Sequence, residues 1–337
     1  MSQSGKTNSR RASDPLSAPS LNPAVGTRRS CRHFVDLFGI QPEEAAQLLQ
    51  RALQLKREGS GDRHASLLIG RTLGLIFEKP SLRTRVSFEA AIARLGGNAI
   101  FLRAEDVGLG ARESVADFAR VVSQYVDALA VRTYAHATVE ELASHSQIPV
   151  INALSDSSHP CQAMADMMTL AELRGELKGL KLVFVGDGNN VARSLALASA
   201  LFGLKFVLAA PPGYEFPEEF VGRYFSAFPR ANLQMEHDPQ RAVRGADVLY
   251  TDVWTSMGQE REAEQRRSVF ARYQVDAKLF SKAGPEAIFL HCLPAHRGEE
   301  VTSEVLDHPR SQVIVQAANR MYFQMALLLW LLAETGE

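Results

Sequence analysis

The sequence predicts an α/β protein of two domains, each with a mainly parallel sheet flanked by helices, and an active site in the interdomain cleft. Three observations predict it. Short apolar runs alternate with helical stretches along most of the chain, the pattern of parallel sheets covered on both faces. The 337 residues exceed the roughly 250–300 that a single core usually sustains. Chemically active residues collect just after the apolar runs, where open α/β sheets place their ligands.

Composition narrows the function. Hydrophobic residues make up 46% and charged residues 22%, proportions that exclude a largely disordered or fibrous chain. Lys and Arg number 37 against 38 Asp and Glu, so no basic excess points to nucleic acid. The longest apolar run, Met325 to Ala333, is about half of a membrane span. The three cysteines Cys31, Cys161 and Cys292 are far apart, and the nine histidines form no H-E-x-x-H pattern. Neither a disulfide framework nor a metal site is expected, and no cofactor.

Residues 1–30 carry Lys6, Arg10, Arg11, Arg28 and Arg29 against Asp14 alone, with abundant Ser and Pro. They read as a disordered basic tail. Pro42 to Lys56 has apolar residues at helical spacing and acids in its first turn, which suits the helix dipole. Leu73 to Phe77 reads as a buried strand, and Arg83 to Leu95 as a helix closed by Gly96 and Gly97. Ala99 to Leu102, Ala128 to Val131 and Pro149 to Asn152 read as strands, with a helix over Ser114 to Tyr125. In the second half Leu180 to Val185, Lys205 to Ala209, Ala246 to Thr251 and Ala287 to Leu290 read as strands. Val191 to Phe202 and Pro217 to Phe228 read as helices, and Asn319 to Leu332 as a helix buried on nearly every side.

Six polar clusters follow six of these strands. The segment from Pro80 to Arg85 offers two hydroxyls and two guanidinium groups at a helix start, a combination suited to phosphate. An N-cap serine with surface arginines is the plainer alternative. Arg132 ends a strand, and a solvated arginine would do the same. His159-Pro160-Cys161-Gln162 puts two donors about one helical turn apart, although a lone histidine is more often structural. Gly186-Asp187-Gly188 opens like a dinucleotide fingerprint. Yet Val191 stands at the third glycine position, and Ala209-Ala210-Pro211 supplies no ribose-binding acid. A nicotinamide oxidoreductase is therefore disfavoured.

Taken in order, the clusters are specific. Phe77 to Glu89, reading FEKPSLRTRVSFE, resembles the carbamoyl-phosphate signature of the aspartate and ornithine carbamoyltransferase family. His159-Pro160-Cys161-Gln162 resembles its second shared motif. Asp252 to Gly258, DVWTSMG, and His291-Cys292-Leu293-Pro294 are similar to the ornithine branch. The resemblance runs from about Cys31 to the last helix. It implies transfer of the carbamoyl group of carbamoyl phosphate to L-ornithine, giving L-citrulline and phosphate. Related acceptors (putrescine, acylated ornithine, aspartate) are the alternative. It also implies a role in arginine biosynthesis and a homotrimer or multiple of trimers. The location would be cytoplasmic, or the matrix in a eukaryote. Residues 31–164 with 317–337 would bind carbamoyl phosphate, and 165–316 ornithine.

By the same resemblance Ser81, Arg83 and Thr84 hold the phosphate, and Arg132, His159 and Gln162 address the carbamoyl group. Cys292 and Leu293 sit near the reacting amine, and Arg320 reaches carbamoyl phosphate. Asn190, Asp252, Ser256 and Met257 bind ornithine, with Ser256 to Gly258 in a loop that closes over it. Leu82, Gly108 and Ala318 depart from the family pattern. Gly108 removes a donor that would reach a neighbouring subunit, and Ala318 replaces a glutamate beside Asn319-Arg320. An alkyl ammonium of pKa about 10.4 is only about a thousandth free base at pH 7.4. Asp252 and Cys292 are the candidates to manage its proton, so Arg132, His159, Asp252 and Cys292 form the expected catalytic set. Direct transfer is expected, with no covalent intermediate.

Overall fold

Nine strands in the described part of the chain build two parallel sheets. The computed structural model describes residues 1–2, 31–59, 63–109, 112–255 and 260–333. The expected basic tail, apart from its first two residues, lies outside them, as do Ser256, Met257 and Gly258. The first sheet contains β1 (Thr72–Phe77), β2 (Asn98–Arg103), β3 (Ala128–Arg132) and β4 (Val150–Leu154) in the order β2-β1-β3-β4. The second contains β5 (Lys181–Val185), β6 (Lys205–Ala209), β7 (Asn232–Glu236), β8 (Val248–Thr251) and β9 (Ile288–His291) in the order β7-β6-β5-β8-β9. Each strand pair within a sheet is parallel.

Strands β4, β8 and β9 are buried at every residue, the first and last of them at sheet edges that the rest of the fold covers. This is why their sequences are continuous apolar runs rather than alternations. The edge strand β7 is half exposed, and its residues NLQME carry no such run, so it escapes a hydrophobicity reading. The helix His136–His145 escapes for a related reason: only Val139 and Leu142 are buried on it. The polar cluster His159 to Gln162 is the start of helix Pro160–Arg174, whose first eleven residues are all buried. The final helix also starts earlier than expected and runs Val313–Leu332.

That final helix packs against helices Pro42–Glu58, Pro160–Arg174 and Leu82–Arg94. Phe323 lies 6.0 Å from Phe34 between ring centroids, and Leu327 and Leu328 are fully buried. Each such leucine contributes about 1.5–3 kcal/mol of hydrophobic stabilisation. The glycine after helix Leu82–Arg94 is sterically required. Gly96 has φ of 88°, and a Cβ there would stand 2.0 Å from the Ala65 carbonyl oxygen. Within the described residues no helix is long and apolar enough to cross a membrane.

Register positions the chemistry. Phe77 is opposite Arg132, so the segment after β1 and the end of β3 meet where the strand order reverses. In the second sheet Val185 is opposite Thr251, and Thr251 opposite His291. The residues after β5, β8 and β9 are thereby adjacent.

Candidate active site

The six strand-end clusters converge on one cavity of about 740 Å³. Its first wall begins at Ser81, the N-cap of helix Leu82–Arg94. The Ser81 side chain does not cap the helix; its hydroxyl lies 2.9 Å from Thr84 Oγ1 as donor. The first-turn backbone N–H groups of an α-helix have no partner within the helix, so this turn is an anion cradle. Ser81, Arg83 and Thr84 line the cavity beside it. Leu82 lines it too but is largely solvent-exposed.

Arg132, at the end of β3, and Arg320, on the final helix, bring two guanidinium groups to the same wall. Burial, then the charge of Arg320, pulls Arg132 down to about 10, and it remains a cation at neutral pH. His159 is 5% exposed. Its backbone N–H donates to Ser194 Oγ at 2.8 Å, while Nδ1 has no protein partner among the described residues. Burial first, then Arg320 and Arg132, hold its imidazole well below 6.5, so the ring is neutral at pH 7. An unfolded histidine takes up a proton below about 6.5, and the folded one resists it. His159 therefore makes stability fall as pH drops below about 6.5. A His159→Gln variant should lose less Tm than the parent between pH 7.5 and 5.5. Equal losses in calorimetry would remove this assignment of charge.

The second wall comes from the second sheet. Asn189 caps helix Asn190–Phe202, accepting from the Val191 and Ala192 N–H groups at 3.0 Å each. Its Nδ2 donates to Asp252 Oδ2 at 3.2 Å. Asp252, just after β8, accepts at Oδ1 from Cys292 Sγ at 3.1 Å. Burial, then the Asp252 charge, pushes the Cys292 thiol well above its ordinary value. The pair is a carboxylate and a protonated thiol. Asn190 donates its amide to the Ser155 carbonyl at 2.7 Å, which ties the two sheets together beside the cavity. Gly188 is required by a different close approach, within the second sheet: a Cβ there would lie 2.8 Å from the Glu215 carbonyl carbon.

Leu293 has φ of 58°, a conformation costing roughly 1–2 kcal/mol for a residue with a Cβ. Its N–H donates to His291 Nδ1 at 2.9 Å. That bond puts the His291 proton on Nε2, which is 3.1 Å from buried Glu300 Oε1. The turn presents Cys292 and Leu293 to the cavity.

Of the residues expected from sequence, Ser81, Arg83, Thr84, Arg132, His159, Asn190, Asp252, Cys292, Leu293 and Arg320 all line this cavity. Gln162 does not: it is buried, and its Oε1 accepts from Arg320 Nη1 at 3.1 Å. Ser256 and Met257 lie outside the described residues. Gly108 has φ of 58°, so glycine suits its backbone. Sequence reading missed Asn189, which holds Asp252, and Arg266. Buried Arg266 lines the cavity and donates to Asp187 Oδ2 at 2.6 Å and to the Trp254 carbonyl at 3.0 Å. No residue-level signal separates it from its largely exposed neighbour Arg267; the doubled Asn of GDGNN was the available signal for Asn189.

The two sheets and this cleft define an α/β protein with helix N–H groups, hydroxyls and guanidinium groups on one wall and a carboxyl–thiol pair on the other. Comparison with known proteins agrees. The carbamoyl-P binding domain of aspartate/ornithine carbamoyltransferase matches residues 32–172, and the Asp/Orn binding domain matches residues 178–331. The chain belongs to the aspartate/ornithine carbamoyltransferase family and is a carbamoyltransferase. It is 52% identical over 304 residues to the ornithine carbamoyltransferase of Pyrococcus abyssi, covering 89% of this chain and 96% of that one. It is also 52% identical over 300 residues to the anabolic ornithine carbamoyltransferase of Pyrococcus furiosus, covering 88% and 95%. A solved ornithine carbamoyltransferase structure from Pyrococcus furiosus superimposes with a TM-score of 0.87 at 48% identity, covering 92% of this chain and 100% of that one.

Proposed function

We propose that this enzyme transfers the carbamoyl group of carbamoyl phosphate to the side-chain amine of L-ornithine, releasing L-citrulline and phosphate. The observation that carries the reading is the opposition of the two walls. Ser81, Arg83, Thr84, Arg132, His159 and Arg320 face Asp252 and Cys292 across one cavity. An oxyanion donor and an amine acceptor need those two environments side by side.

In this reading the phosphate rests on the first turn of helix Leu82–Arg94, held by Ser81, Arg83 and Thr84, with Arg320 alongside. Arg132, His159 and Thr84 address the carbonyl oxygen. Gln162 acts on the carbamoyl subsite through Arg320. Asn190, Asp252, Ser256 and Met257 take ornithine, the last two on sequence grounds. The neutral amine attacks the carbonyl carbon, a C–N bond forms, and the C–O bond to phosphate breaks with its electron pair leaving on phosphate. Asp252 receives or relays the amine proton, and the departing phosphate is its final acceptor. Cys292 stays a thiol and shields the carboxylate, which supports direct transfer rather than a carbamoylated cysteine. Holding two substrates in reacting geometry is worth roughly 7–11 kcal/mol, and each well-aimed donor to the oxyanion roughly 3–4 kcal/mol.

The assembly in this reading is a homotrimer or multiple of trimers, with residues 31–164 and 317–337 on the carbamoyl-phosphate side and 165–316 on the ornithine side. Exposed apolar Leu82, Val86 and Ile100 are surface that a neighbouring subunit would cover. An arginine-synthesising role fits the anabolic name of one relative, and a cytoplasmic setting, or the matrix in a eukaryote, belongs to the same reading. A citrulline assay with ornithine, putrescine, N-acylornithine and aspartate tests the reading. Citrulline from ornithine alone is expected; preference for another amine, or no product with any, overturns it.

A further inference from the structure

One buried carboxyl group has no place in the mechanism above. Asp166 is fully buried on helix Pro160–Arg174, one turn beyond Gln162, and is not on the cavity wall. Its Oδ1 accepts from Gln162 Nε2 at 2.8 Å and from Gln316 Nε2 at 2.7 Å. Each glutamine then turns its carbonyl oxygen the other way. Gln162 Oε1 accepts from Arg320 Nη1 at 3.1 Å, and Gln316 Oε1 accepts from the His291 N–H at 3.0 Å. Gln316 Nε2 also reaches the Tyr250 hydroxyl on β8 at 3.1 Å.

A glutamine amide can sit in either of two flips, and the choice is set by its neighbours. Whether the carboxyl is ionised or carries a proton on Oδ2, Oδ1 can only accept, so it selects for both amides the flip with NH₂ inward and oxygen outward. The two outward oxygens end on opposite walls of the cleft. One holds the guanidinium of Arg320 beside the anion cradle; the other holds the end of β9 immediately before Cys292. We infer that Asp166 is a positioning residue for transfer: through Gln162 and Gln316 it sets Arg320 and the Cys292 turn in one mutual geometry.

Burial pushes the Asp166 carboxyl up to about 7. A position serving packing alone would be as stable or more so with an apolar residue. Misplacing a group by about 1 Å can cost about a hundredfold in rate, which leaves room for a large effect from a residue that touches no substrate. The inference rests on the functional reading, in which Arg320 contacts carbamoyl phosphate.

The test compares Asp166→Leu with Asp166→Asn in the full-length enzyme. Asparagine keeps one oxygen able to accept from both glutamines; leucine keeps none. Asp166→Leu should raise KM for carbamoyl phosphate about tenfold or more and lower kcat, whereas Asp166→Asn should stay within about threefold of the parent in both. A folded Asp166→Leu with parental KM, or an asparagine variant as impaired as leucine, overturns the inference. Should Asp166→Leu fail to fold, Gln316→Leu cuts the arm to His291, with the Tyr250 contact, and leaves the Gln162–Arg320 arm in place. It should lower kcat about tenfold while KM for carbamoyl phosphate stays within about threefold; parental kcat overturns the inference. Calorimetry with inorganic phosphate reads the Arg320 arm without turnover and should show weakening in Asp166→Leu but not in Asp166→Asn. Parental citrulline formation is the separate control: its absence defeats the functional reading, while the phosphate result still decides the role of Asp166.

Discussion

Replacing Arg132 with methionine should lower kcat by about two to three orders of magnitude, with the fold and Tm retained. Arg132 is a cation at the end of β3 whose ordinary basicity is reduced to about 10, by burial first and Arg320 second. It stays charged at neutral pH and is poorly hydrated, the condition in which a donor aimed at a developing oxyanion is strongest. Loss of one such donor typically costs about 2.7–4 kcal/mol in the transition state. Arg132→Lys should not restore the rate, because a point charge does not reproduce a planar guanidinium. The methionine replacement should also ease protonation of His159, since the charge of Arg132 is one of those that oppose it. Steady-state kinetics with parental kcat, in a variant that still binds phosphate, would remove Arg132 from the chemistry.

Asp252→Asn should reduce kcat/KM for the amine substrate by about 10²–10⁴, the range for a positioned proton acceptor. The hydrogen bond from Cys292 Sγ adds a second, independent readout. In the parent the thiol is held protonated by burial and by the Asp252 charge. Iodoacetamide should therefore alkylate Cys292 slowly at pH 8, although it lines the cavity. With asparagine the charge is gone, more thiolate is present, and alkylation should speed up while turnover collapses. A parent alkylated at the rate of an ordinary exposed cysteine, or a variant whose rate is unchanged, would show that the two groups do not share a proton as the geometry requires.

The chain of short apolar runs made the α/β class legible before any coordinates, because strands buried on both faces carry that run. Leu73 to Phe77 and Leu180 to Val185 are plain examples. Where burial is one-sided or partial the signal fades, so β7 and the helix His136–His145 were invisible. The anion cradle was legible because its residues are contiguous, Ser81 to Thr84. Arg132, His159 and Asp252 were individually ambiguous, each with an ordinary structural alternative. Their association comes from strand register, which pairs Phe77 with Arg132 and Thr251 with His291.

The least legible residues are those that act through others. Asn189 holds Asp252, Asp166 joins two glutamines, and Arg266 bridges Asp187 to Trp254. Gln162 was identified as a ligand contact, yet its oxygen is committed to Arg320. A hydrogen bond between residues about 150 positions apart, such as Gln316 to Asp166, leaves no local pattern.

By itself, then, the amino-acid order determined the parallel-sheet architecture, the anion cradle and the kinship of the chain. Hydrophobic period and contiguous motifs are properties of neighbours along the backbone. Only the tertiary structure decided which side chains share a cavity, which one stands a layer behind it, and which proton Cys292 keeps. Those depend on burial and on distances across two sheets, where low local dielectric makes each charge felt by the next.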